Sequence, residues 1–357
     1  MLFLFCIIPL CIPFITKHFF DRDLTWKELG ICVVSPIFLM CCFYAGAYYT
    51  ETDDVEILNG AVTQKTRDEV HCRHSYECNC YYTYSTSRDS KGRSHTTRHK
   101  HCSTCYEHRF DVDWDVATSV GNYTIDKVDR QGLIEPPRWT AVSIGEPVSK
   151  TSSYTNYVLG AKNSLFNLSQ YQQYANMVPE YPKAIYDLWK IDRVVQIGTN
   201  IPNKADINQG LSEILSLIGP KKQVNIVLVT TNKAEDFSYA IRNKWLGGKK
   251  NDLIITVGID NTNKINWVKV FGWSNNQMVY IRLRDDLMKV GNITDTANIL
   301  SVISTDVAQF YQRKHMKDFE YLKDEVQPSM TTLLIGLILS VLLSIGLTWY
   351  CVKNDVA

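Results

Sequence analysis

Apolar runs frame a polar middle. Leu2 to Thr16 is apolar throughout, and Phe19 and Phe20 extend it past Lys17, whose stem can snorkel. Ile31 to Tyr49 carries no charge and ends in the aromatic pair Tyr48 and Tyr49, residue types favoured at a membrane interface. Met330 to Cys351 is a third uncharged run, closed by Trp349, Tyr350 and Lys353. A helix buried in a soluble domain seldom stays uncharged for so long. The pattern predicts three membrane spans, at about residues 2–20, 31–49 and 330–351. A signal peptide is the alternative for the first, but a basic leader and a small-residue cleavage site are missing, which favours an uncleaved hairpin over residues 1–49.

Basic residues set the expected orientation. Lys17, Arg22 and Lys27 lie between the first two runs and Lys353 follows the third. The positive-inside rule puts that loop and the tail in the cytoplasm, and residues 50–328 on the extracytoplasmic side.

The polar middle changes character along its length. Of the 11 cysteines, Cys72, Cys78, Cys80, Cys102 and Cys105 crowd one stretch, with His71, His74, His95, His99, His101 and His108. Alternating segments, Tyr81 to Tyr84 and Phe110 to Val116, flank a polar stretch from Ser85 to Lys100. Two strands tied at one end by sulfur-bearing knuckles resemble a zinc ribbon over residues 50–120. The candidate metal ligands are Cys72, Cys78, Cys80, Cys102, Cys105 and His108, holding a structural zinc. Disulfides are the competing reading in an oxidising compartment, where five cysteines leave one thiol over. His95 and His99 read as parts of a solvated loop.

Residues 121–200 read as an irregular β connector packed on the cysteine module. From 201 to 320 the periodicity switches. Asn208 to Ile218 is an amphipathic helix, Gln223 to Thr230 a buried strand, and Glu235 to Leu246 a helix. Leu253 to Ile259 is a second buried strand with Lys264 to Gly272 as its hairpin partner. Helices follow over Val279 to Val290 and Thr294 to Arg313. Strands alternating with helices indicate an α/β class, an α/β/α sandwich with a mainly parallel sheet.

The order of these pieces resembles the TPM domain, a membrane-tethered exported α/β module. The resemblance runs over about 205–315: Asn208-x-Gly210-Leu211, then Ile226 to Val229, then Phe237 and Ala240 through Asn243-Lys244-Trp245. Gly247-Gly248-Lys249-Lys250-Asn251-Asp252 and Leu253 to Ile255 complete it. Around it, the Cys-rich insert and the Lys317 to Lys323 run resemble uncharacterised phage and bacterial membrane proteins. The family includes proposed acid phosphatases, photosystem II repair factors and an ion-channel modulator. The resemblance therefore implies either a regulatory module or a phosphatase. This chain departs from the family where Asp252 is followed directly by Leu253, and where Asp260-Asn261-Thr262-Asn263 replaces a Gly-rich hairpin.

Asp252 and Asp260 are the candidate catalytic carboxylates, but they bracket one strand and cannot share a metal. Gly247 to Lys250 offers backbone N–H groups and charge to an anion, or a helix C-cap with lysines at the dipole's negative end. The net charge of +1 gives no argument for a nucleic-acid partner. No Gly-x-Ser-x-Gly, P-loop or His-Glu-x-x-His occurs. The leading expectation is a membrane protein whose extracytoplasmic TPM-like domain binds or regulates another envelope or membrane protein. A TPM-type metal-dependent phosphatase is the alternative. Gly336, Ser340 and Ser344 share one helix face and suggest a homo-oligomer through the last span.

Overall fold

The computed structural model describes residues 2–19, 24–88, 94–161, 165–166, 171–174, 176–187 and 189–354. Helix α2 (Trp26–Thr52) starts where Thr25 and Glu28 form a capping box, five residues before the uncharged run. It runs straight into strand β1 (Asp53–Val70). At the other end of the chain, residues 330–354 form one long helix. These two helices are long and apolar enough to cross a membrane. Helix α1 (Leu2–Phe19) packs against both, but its described apolar stretch, Cys6–Ile15, is shorter than a span. Two of the three expected spans therefore have the length required. Arg22, one of the basic residues used for orientation, lies outside the described residues.

The small-residue stripe of the last helix faces its own chain. A Cβ at Gly336 would meet Phe43 at 2.7 Å, and Ser344 Oγ donates to Pro9 O at 3.0 Å. Ser340 and Thr348 are buried on the same face.

Beyond the membrane helices, β1 is shared by two partners. Its first half pairs antiparallel with β6 (Pro147–Thr155), from Asp53↔Thr155 to Ala61↔Pro147. Its second half pairs with β4 (Asp111–Thr118), and β5 (Gly121–Ile125) closes the order β5-β4-β1-β6. Val62, Val112, Trp114, Val116 and Val148 form the core of this sheet. Between β1 and β4 the chain leaves as a separate hairpin, β2 (Ser75–Arg88) and β3 (Ser94–Tyr106). The zinc-ribbon expectation is corrected here. Tyr81 to Tyr84 pairs with Arg98 to His101 inside that hairpin, whereas Asp111 to Val116 pairs with β1. The stretch read as a polar loop is largely strand, since period-2 pairing of two polar strands leaves no apolar alternation to detect.

A two-residue ladder, β7 (Ile185–Tyr186) with β8 (Lys190–Ile191), leads to the α/β body. Its sheet has the order β12-β11-β10-β9, from β9 (Val194–Ile197), β10 (Asn225–Thr231), β11 (Asp252–Ile259) and β12 (Ile265–Gly272). β9, β10 and β11 are parallel, and β12 is the antiparallel hairpin partner of β11. β10 and β11 are buried at every position, as expected of strands covered on both faces. Helices α3 (Lys204–Lys222), α5 (Met278–Val290) and α6 (Thr296–Phe310) cover one face through Leu211, Leu215, Leu283, Leu287 and Ile303. Helix α4 (Phe237–Lys244) covers the other, where Phe237, Ile241 and Trp245 meet Val227, Val229 and Ile254. The expected mixed α/β class is present. The C-terminal membrane helix is α7 (Met330–Asn354). β9 lies before the expected domain start at 201 and was not legible, being four residues long with Gln196 inside.

The two sheets are joined by polar groups. Lys249 pairs with Asp54, and Glu56 receives Lys250 Nζ at 2.9 Å and Arg313 Nη2 at 2.7 Å. Arg193, 2% exposed, donates to Asn225 of β10, Asn59 of β1 and Ser149 of β6. Buried charges persist only when bonded in this way.

Candidate metal centre

The hairpin is rooted in two adjacent connections, 71–74 before β2 and 107–110 after β3. Glu107 N donates to His74 O at 3.0 Å and holds them side by side. Four metal-ligating side chains converge there. Cys72 Sγ lies 3.6 Å from His108 Nδ1, which lies 3.2 Å from Asp111 Oδ1. His74 Nδ1 is 3.4 Å from Asp111 Oδ2. One ligand atom from each residue lies within 4.8 Å of the other three.

These distances suit an ion. With Zn–N at ~2.0 Å and Zn–S at ~2.3 Å, tetrahedral ligand atoms sit about 3.3–3.8 Å apart. A thiolate, two imidazoles and a carboxylate are zinc donors by type. His74 Nδ1 is buried and makes no hydrogen bond, a loose end that a metal bond would satisfy. Cys72 is 1% exposed and Asp111 fully buried. Burial by itself would raise the Asp111 carboxyl. The Arg73 N–H, Cys72, His108 and the Lys127 charge outweigh it and hold the group at about 2.

The other expected ligands are elsewhere. Cys78 is bonded to Cys105 and Cys80 to Cys102, two disulfides across the hairpin. A disulfide sulfur has no thiolate to give a metal, so Cys78, Cys80, Cys102 and Cys105 leave the expected set and Cys72 and His108 remain. Cys102 and Cys105 sit on one strand, where residues three apart point to opposite faces and cannot chelate one ion. The two readings of the cysteines are therefore not exclusive. Sequence reasoning missed His74 and Asp111 as ligands. The available signal was Cys72-x-His74 on one side and His108-x-x-Asp111 on the other.

Above the root, the hairpin stands clear of the body. All its described residues are exposed except Cys78, Cys102 and Cys105, which are half-buried. Tyr81, Thr83, Ser85 and Ser87 share one face with His101, His99, Thr97 and His95. Tyr82, Tyr84 and Arg88 share the other with Lys100 and Arg98. Arg98 lies 3.5 Å over the Tyr82 ring, and Tyr81 stacks on His101 at 5.2 Å. His95 and His99 are solvated, as expected, though on a strand.

The catalytic candidates are at opposite ends of β11. Asp252 is fully buried and accepts from Tyr181 Oη at 3.0 Å, Asn225 Nδ2 at 2.9 Å and Lys249 N at 2.7 Å. Burial pushes its carboxyl up to about 6 despite these donors. Asp260 accepts from Thr262 Oγ1, Lys264 N and Thr262 N in an exposed turn, and these donors, the Thr262 hydroxyl first, lower its pKa. The Gly247 and Gly248 N–H groups donate to Arg242 O and Trp245 O. The turn is a helix C-cap locked by Asp252, and its lysines serve the seam between the sheets. Comparison with protein-family models, with curated proteins and with solved structures matches nothing to this chain.

Proposed function

We propose that the protein is an integral membrane protein with three spans. Its extracytoplasmic body would be a TPM-like α/β domain, which presents the β2–β3 hairpin as a rigid docking arm for another envelope or membrane protein. A structural zinc ion on Cys72, His74, His108 and Asp111 fixes the arm's root, and two disulfides fix its lower half. The observation that carries this reading is that every described residue of the arm is exposed except three half-buried cysteines near its root. A lone two-stranded hairpin is marginal in water, so an exposed arm of 14 residues, about 45 Å at ~3.3 Å per residue, needs covalent and metal braces. Tyr76, Tyr81, Tyr82, Tyr84 and Tyr106 are all exposed on it, and tyrosine is a preferred interface residue. Disulfides suit an oxidising compartment, in agreement with the orientation read from the basic residues.

A phosphatase acting through Asp252 finds no support in this geometry, because the carboxylate is sealed and already accepts three hydrogen bonds.

A photo-crosslinking residue at Tyr84 tests the docking reading in intact cells. It should give one discrete adduct, lost when Tyr82 is replaced by Ala. The same residue at Leu217, equally exposed on the body, should give none. Equal crosslinking from both positions would count against an arm with a dedicated partner.

A further inference from the structure

A sizeable opening lies away from the arm. A cavity of about 700 Å³ lies between β6, β8 and the start of α3, within the size range of small-molecule sites, which favour the joints between packed units.

Three features of its wall share one sign. The first is Arg193 on the floor. Its guanidinium has five N–H donors, and its acceptors are the neutral groups of Ser212, Asn225, Asn59 and Ser149. One N–H on Nη1 is left over, and no carboxylate touches the side chain among the described residues. The nearest buried acid, Asp252, is reached only through Asn225, whose Nδ2 donates to it. The second is the N-terminus of α3, a helix of 19 residues. Asn203 gives it no side-chain cap, because its amide donates to Ile293 O and Thr296 Oγ1. The first-turn N–H groups and the positive end of the helix dipole are left open beside the cavity. The third is Lys204, in that same turn and in the cavity wall, with no acidic partner among the described residues.

The three acids of the wall each already have a donor, two of them from within the wall itself. Glu146 pairs with Arg138, Asp192 accepts from Tyr186 Oη, and Glu213 accepts from Gln209. The wall also has an apolar part, Trp189 and Ile191, both buried.

We propose that this cavity binds a small soluble organic anion, a carboxylate or phosphoryl head on an aromatic body. The head lies against Arg193 and the first turn of α3, and the body lies along Trp189. The site is independent of the docking arm and of the metal centre.

Phenylphosphonate, titrated calorimetrically into the full chain in phosphatidylcholine nanodiscs, is the probe, with benzyl alcohol as its neutral counterpart and empty nanodiscs as the blank. Phenylphosphonate should bind saturably at one site per chain, and benzyl alcohol should not. Ala205→Trp, at an exposed position in the cavity wall, and Lys204→Glu should each weaken binding at least about tenfold. Arg193→Gln should abolish it, but that change also cuts the bonds joining three elements, so the two α3 variants decide the matter. No saturable binding of phenylphosphonate would overturn the proposal. Equal binding of benzyl alcohol, or full binding by Ala205→Trp, would do the same.

Discussion

Cys72 and His108 meet at 3.6 Å across the root of the hairpin although 36 residues separate them. The whole arm is the loop that this contact closes. An ion held there, with His74 and Asp111, would clamp the point where the arm enters and leaves the body.

If zinc is that clamp, Cys72→Ser and His108→Ala should each strip the metal from the purified chain. Cys78→Ser should retain it, because its sulfur belongs to a disulfide. A site loaded at about a thousand times its Kd adds about 4 kcal/mol to stability. Chelation should therefore lower the melting temperature of the wild type and leave Cys72→Ser unchanged. Calorimetry with and without chelator reads this.

The disulfides should act locally. Replacing Cys80 and Cys102 together with Ser removes a cross-link worth about 3 kcal/mol, which is about a hundredfold in the opening equilibrium. Amide exchange should accelerate by that order in β2 and β3. The body should keep its protection, since none of its cores includes a hairpin residue. Exchange that accelerates equally in β10 and β11 would show that the arm is part of the cooperative fold.

Asp252 should make the body more stable in mild acid. Its folded pKa, about 6, is above the ordinary carboxyl value of 3.8. The folded state therefore holds the proton more tightly, and stability falls as pH rises from about 4 to about 6 and is flat beyond. The shift corresponds to about 3 kcal/mol. Urea unfolding across that window should show the fall, and Asp252→Asn should remove most of it.

The membrane helices supply a test of their own. Cys32 Sγ and Cys351 Sγ lie 3.9 Å apart, so a membrane-permeant oxidant should join them in the wild type. Gly336→Leu would push a side chain into Phe43 and should reduce that product several-fold, as judged by peptide mapping.

Much of the body was legible in the sequence. β10 and β11 are built on the apolar runs Ile226 to Val229 and Leu253 to Ile255, and the helices that cover them keep a 3.6-residue period. β1 was not legible. Its buried positions include Asp54, Glu56 and Asn59, which a hydrophobic pattern scores as surface. They are buried because Lys249, Lys250, Arg313 and Arg193 come from more than a hundred residues away to bond them. The cysteine cluster was visible at once, and its division was not. Spacing alone does not distinguish a knuckle from a strand, and only the pairing of β2 with β3 puts Cys102 and Cys105 on separate bridges. Asp111 is brought to the metal centre by the pairing of β4 with β1, so Cys72-x-His74 and His108-x-x-Asp111 become one site only once that pairing is known.

Metal content and thiol count on one preparation of the intact chain test the central claim most directly. Purified without chelator or reductant, then denatured, the protein should release one zinc ion per chain and show seven reactive thiols among its 11 cysteines. Absence of zinc, or more than seven thiols, would contradict a hairpin braced by two disulfides and clamped at its root by a metal.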